Sequence, residues 1–156
     1  MFTREEVVSK IREWLKAEKW KLSEFSDANF QLAYKIVLSS RRKIYLGLEK
    51  SVDRLTIQNT LIIPPDVKNI YRLSPNKYRF LNELKVHLMQ MEVSTEIYPS
   101  FENLESINIA NFIYFDGFSR NKLIHEIHKL ADVTDLVFIM WKNFTESRLP
   151  SDQQKS

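Results

Sequence analysis

FQLAYKIVLSSRRKIYLGLEKSVDRLTIQNTLIIPP, residues 30–65, decides the fold of this 156-residue chain. Apolar side chains recur at every second position: Phe30, Leu32, Tyr34, Ile36 and Leu38, then Ile44, Leu46 and Leu48, then Leu55, Ile57, Leu61 and Ile63. A strand turns successive side chains to opposite faces, so each run builds one buried strand face. Ser39-Ser40-Arg41-Arg42 and the stretch Ser51–Arg54 are polar and read as turns. Consecutive strands with short links form an antiparallel meander. Gly47 stands inside the second strand, where a bulge or a close backbone approach is expected. Pro64-Pro65 stops the sheet, because neither residue can donate to a ladder.

Working outward, Thr3-Arg4-Glu5-Glu6 has the form of a capping box, and Val7, Val8, Ile11, Trp14 and Leu15 continue as a helical stripe to about Lys19. Trp20 and Leu22 open a short strand, and Asp27-Ala28-Asn29 turns the chain into the meander. Beyond it, Ser74-Pro75 reads as an N-cap and first turn, with Tyr78, Leu81, Leu84, Leu88 and Met91 as the buried face of a second helix. Val93–Ile97 and Ile107–Phe115 read as further strands. Leu123, Ile124, Ile127 and Leu130 mark a third helix, and Val133, Leu136, Val137, Met140, Trp141 and Phe144 a fourth. The expected fold is a single α+β domain over 1–148: N-terminal helix, antiparallel β-meander, helix, further strands, then C-terminal helices packed on one face of the sheet. Residues 149–156 are expected to form a polar, disordered tail.

Composition narrows the chemistry. The chain has no cysteine, which removes disulfides, iron–sulfur clusters and thiolate zinc sites. No apolar run is long enough to span a membrane, and Arg4, Glu5 and Glu6 interrupt any signal-peptide core at the start, so a cytoplasmic protein is expected. The two glycines, Gly47 and Gly117, are far too few for a phosphate-cradling loop. Residues 1–50 carry eleven Lys/Arg against seven Asp/Glu, whereas residues 101–156 carry six against eight, so positive charge gathers in the first third.

Catalytic motifs are absent in usable form. Ser119-Arg120-Asn121-Lys122 matches the S-x-x-K pattern of penicillin-recognising enzymes, but the pattern recurs at Ser74 and Ser40 and its S-D-N and K-T-G companions are missing. Ser119 therefore reads as a helix cap. His125-Glu126-Ile127-His128 resembles the zinc-protease helix, but its histidines are three rather than four apart. His125, His128 and Asp132 remain the low-ranked candidate metal set. The expectation is a protein that is not an enzyme and needs no cofactor.

Glu13-Trp14-Leu15, the Asp27-Ala28-Asn29-Phe30 entry to the meander, and Tyr114-Phe115-Asp116-Gly117, in this order of elements, resemble the type III secretion chaperone-like fold. That group includes the YbjN-type proteins, and these same three motifs resemble an archaeal family of unknown function. The resemblance runs from about Thr3 to Arg148. It implies a convex antiparallel sheet with helices on one side, often paired as a dimer, that binds polypeptide rather than turning over substrate. It carries over no functional residue, and this chain is basic where the secretion chaperones are acidic.

Two functional expectations follow. The first is a protein-interaction or chaperone-like module, a candidate homodimer, with Trp20, Tyr45, Thr56 and Gln58 as its candidate protein-binding surface. The second is a nucleic-acid-associated protein in which the hairpin tip Arg41, Arg42 and Lys43 meets phosphates, helped by Arg12, Lys16 and Lys19 of the first helix.

Overall fold

The computed structural model describes residues 1–147, so the expected tail at 149–156 lies outside the described residues. The element order is α1 (Arg4–Ala17), β1 (Lys21–Asp27), β2 (Phe30–Val37), β3 (Lys43–Glu49), β4 (Arg54–Ile62), α2 (Pro65–Leu73), α3 (Lys77–Gln90), β5 (Ser94–Pro99), β6 (Leu104–Tyr114), a 3₁₀ turn (Phe115–Gly117) and α4 (Arg120–Glu146). The strands form one antiparallel sheet in the order β1-β2-β3-β4-β6-β5. Two compact units share these elements: one holds residues 1–59 and 110–131, the other 60–109 and 132–147 of the described chain.

In the first unit, α1 begins at the expected cap, where the Thr3 hydroxyl accepts from the Glu6 amide at 3.2 Å. Its stripe Val7, Ile11 and Leu15 is fully buried. The even-numbered residues of β2 and β3, from Leu32 to Leu48, are buried as the alternation requires, and so are Leu55 and Ile57 of β4. This is the helix side of the sheet, since Arg12 of α1 reaches Glu24 of β1 at 3.1 Å. Arg4 fastens the end of the meander. Its guanidinium donates to the Glu49 carbonyl at 2.6 Å, the Val52 carbonyl at 3.0 Å and the Asp53 carboxylate at 2.9 Å, above the ring of Phe115. The cap reading of Ser119 holds, with its hydroxyl accepting from the Lys122 amide at 3.1 Å.

The second unit is built around stacked rings. Phe80 of α3 lies against Phe144 of α4 with centroids 4.3 Å apart, and Trp141 meets Phe80 at 4.8 Å and Tyr71 of α2 at 5.6 Å. The Tyr71 hydroxyl donates to the Phe101 carbonyl at 2.5 Å. Burial, and then the charge of Glu102, push the Tyr71 phenol up to about 12.

The elements differ from the expectation in several places. β6 begins at Leu104 instead of Ile107. The first strand runs on to Asp27, into the expected turn. Pro65 opens a helix as well as ending the sheet, because proline's fixed φ and missing N–H suit a first helical position. Ser74 therefore closes α2, and α3 starts two residues later than Ser74-Pro75 implies. The expected third and fourth helices are one continuous helix of 27 residues.

Candidate functional site

The site is assembled by strand register on the side of the first unit's sheet that faces away from α1. Lys21 of β1 stands beside Val37 of β2, which stands beside Lys43 of β3. The next row on that face is Ser23, Lys35, Tyr45 and Gln58, and the row after it Phe25, Ala33, Gly47 and Thr56. Cross-strand partners project to the same side, so these eleven positions share one surface. Phe112 and Tyr114 of β6 border it through Arg54, whose guanidinium sits 4.2 Å from the centroid of Phe112 and donates to the Tyr114 hydroxyl at 3.4 Å.

Rings dominate the middle of this face. Phe25 and Tyr45 meet edge to face at 6.2 Å. Phe30 joins them through the irregular register between Phe30 and Leu32, which frees its ring from the inner face that alternation assigns it. That ring lies flat over Gly47: a Cβ there would stand 2.5 Å from its Cδ1. Phe25, Phe112 and Tyr114 keep 42%, 36% and 52% of their surface exposed, whereas the inner face is sealed. A depression of about 420 Å³ lies by the β1–β2 turn, lined from both sides of the sheet by Glu24, Phe25, Asp27, Phe30, Leu32 and Lys50 among others.

Cations gather at the other end. Lys21, Lys35, Lys43 and Arg41 have no ion-pair partner among the described residues. Arg41 sits in the β2–β3 turn with φ 69°, its amide donating to the Leu38 carbonyl at 2.8 Å, while the Arg42 carbonyl accepts from the Leu38 amide. Arg54 differs in kind. It grips both carboxylate oxygens of Glu49, with Nη2 3.0 Å from Oε1 and Nε on Oε2, and so cancels its own charge. That grip, with a bond from Thr56, holds the Glu49 carboxyl below the usual carboxylate range despite burial and raises Arg54 above its own. The first unit carries 15 Lys/Arg against 10 Asp/Glu, and the second, with its whole C-terminal stretch, 8 against 10.

The sequence-derived candidates separate cleanly. Lys43, Tyr45 and Gln58 share the face, with Arg41 and Arg42 on the turn next to it. Thr56 is on the face but buried, its hydroxyl donating to Glu49 at 2.9 Å. Trp20 packs edge to face on His128 at 5.3 Å. Arg12, expected to reinforce the tip, is engaged with Glu24 instead. Among the described residues, no group of three or more His, Asp or Glu side chains is placed to hold a metal ion, His125, His128 and Asp132 included. Lys21, Lys35, Phe25 and Phe112 were not singled out from the sequence. Extending the first strand past Glu24 would have placed Phe25 and Lys21 on the side opposite Leu22.

A leading helix, a six-stranded antiparallel sheet and a C-terminal helix define an α+β protein of the YbjN-like fold. One solved structure of this fold is an uncharacterized protein from Methanothermobacter thermautotrophicus, with a TM-score of 0.78 and 22% identity over 86% of this chain and 96% of that one. Another is YbjN from E. coli, described as a candidate transcription regulator, with a TM-score of 0.55 and 10% identity over 90% of this chain and 93% of that one. The chain belongs to the DUF2299 family of uncharacterized conserved proteins, whose profile matches residues 7–141. The expected likeness to an archaeal uncharacterized family and to the YbjN-type fold is borne out. No curated protein matches the sequence. No helix among the described residues is long and apolar enough to cross a membrane.

Proposed function

We propose that this chain is a non-enzymatic, nucleic-acid-associated protein that binds through the face formed by β1, β2 and β3 and the turn at Arg41. One observation carries the reading: four cations, Lys21, Lys35, Lys43 and Arg41, cluster without acidic partners among the described residues, on the basic unit of the chain. Unpaired surface cations at this density repel one another and are relieved by a polyanion, which releases its own counterions on binding. The description of YbjN as a candidate transcription regulator supports the same class by analogy of fold.

Affinity for a mixed-sequence oligonucleotide, measured against salt, tests this. Neutralising three or four phosphates predicts a log–log slope of about −3. An Arg41→Ala/Arg42→Ala double variant should weaken binding and flatten the slope. Binding that is absent at low salt ends the proposal.

A second reading, a protein-interaction or chaperone-like module that pairs with itself, draws on the second unit. There Ile62, Leu73, Met89 and Ile139 are more than half exposed. It predicts a dimer by light scattering, and a salt-tolerant complex with polypeptide. A strict monomer that ignores unfolded polypeptide removes it.

A further inference from the structure

We infer that the nucleic acid taken by this face is single-stranded, with bases stacking on Phe25, Tyr45 and Phe112 and phosphates running past Lys21, Lys35 and Lys43. This rests on the nucleic-acid reading above and gives it a substrate class.

The argument begins with what the lysines alone would do. A patch of ammonium groups attracts any phosphate backbone, and a duplex has the higher charge density. Nothing in that attraction needs rings. Yet the rings are placed on the same surface as the lysines: Lys35 lies directly beside Tyr45, and Tyr45 meets Phe25 edge to face at 6.2 Å. In a duplex the base faces are covered by their neighbours, so exposed aromatic faces gain nothing from it. In a single strand each base offers a free π-face, and one base on one ring changes affinity by roughly five- to a hundredfold.

The packing beneath the rings favours the same partner. Ala33 and Gly47, the small residues of the Phe25 row, keep the sheet low between Phe25 and Thr56, and the ring of Phe30 lies flat in that space. Phe112 is held from one side by Arg54, which Glu49 fixes in place, so its position does not depend on the partner. The lysines and the rings therefore divide the work by chemistry. Arg54 is neutralised and serves position, and the phosphate charge is left to Lys21, Lys35 and Lys43. β2, eight residues long, spans about 25 Å, enough for a run of a few nucleotides.

Fluorescence anisotropy on the full chain tests this with labelled oligo-dT and oligo-U of fifteen nucleotides and a fifteen-base-pair duplex, at two salt concentrations. The expected result is single strands bound at least tenfold tighter than duplex. Tyr45→Ala and Phe25→Ala should each weaken single-strand binding by about tenfold and leave duplex binding unmoved. Tyr45→Phe should retain it, because the ring and not the hydroxyl is needed. Lys35→Ala/Lys43→Ala should weaken both ligands. Circular dichroism confirms that each variant is folded. Equal affinity for the two forms, or ring variants that change nothing, overturns the inference while leaving the nucleic-acid reading intact. A folded wild-type chain that binds neither form removes both, and a stable complex with unfolded polypeptide in its place hands the face to the protein-binding reading.

Discussion

The two compact units are both rich in aromatic rings and use them in opposite ways. In the second unit, Tyr71, Phe80, Trp141 and Phe144 close on one another, all at least nine-tenths buried. In the first, Phe25, Tyr45, Phe112 and Tyr114 are laid out on a sheet surface beside lysines and a neutralised arginine. The same residue type thus serves cohesion in one place and presentation in the other. Exposure and the nearest charge distinguish the two roles, because apolar area contributes to stability only where water is removed from it.

The largest expected effect is the clearest test of that contrast. Phe80→Ala should lower folding stability by about 3–5 kcal/mol, whereas Phe25→Ala should lower it by less than about 1 kcal/mol. Chemical denaturation of the two variants measures both, and equal losses would erase the distinction.

Next in size is the Arg4 clip of the first unit, which satisfies two main-chain carbonyls and one carboxylate. Arg4→Ala should destabilise by roughly 2 kcal/mol, and Arg4→Lys should recover little, since an ammonium cannot reach the same fork of acceptors. Hydrogen exchange at the amides of β3 and β4 reports the loss locally.

Opposite ends of the pH scale separate the units further. Tyr71, raised to about 12 by burial and by Glu102, favours the folded state fully below pH 10 and loses that contribution as pH rises from there through 12. Tyr71→Phe should therefore flatten the alkaline limb of the stability curve. Glu49, lowered chiefly by its bond to Arg54, contributes above the ordinary carboxylate range and loses its contribution as pH falls through its depressed value. Glu49→Gln should flatten the acid limb, and a variant that leaves that limb unchanged would sever Glu49 from it.

The smallest effect concerns Asn111 of β6, buried with neither its amide nitrogen nor its carbonyl oxygen hydrogen-bonded to any described residue. Asn111→Leu should raise the melting temperature by a few degrees, corresponding to about 1 kcal/mol, since it removes a buried polar group with no partner among the described residues. A fall in melting temperature would show that the amide has a positive role.

The meander was legible because its period of two persists through three strands and one residue's slip would expose every apolar side chain. The Ser74 region was misread because a local cap signature, Ser-Pro, competed with an equally good one at Pro65, and local signals carry no rank. Tyr45 and Gln58 of the candidate face were legible from alternation, and Lys43 from the run of positive charge at the hairpin tip. The rest of the face was not, because Phe25, Tyr45 and Phe112 become neighbours only through cross-strand register, a property of pairing rather than of any window of sequence. Arg4 escaped notice for a related reason: its partners, Gln31 as well as Glu49, Val52 and Asp53, lie 27 to 49 positions away.

Gly47 and Phe30 also have a consequence for how this sequence can drift. The space above position 47 already belongs to the ring of residue 30, so the two positions are tied as a size-exchange pair. A methyl group gained at 47 has to be matched by bulk lost at 30, and neither change is neutral unless the other is present. Gly47→Ala should thus be harmful alone and tolerated with Phe30→Leu, a coupling read directly by a double-mutant cycle. Across divergent relatives, the two sites are expected to change together or not at all.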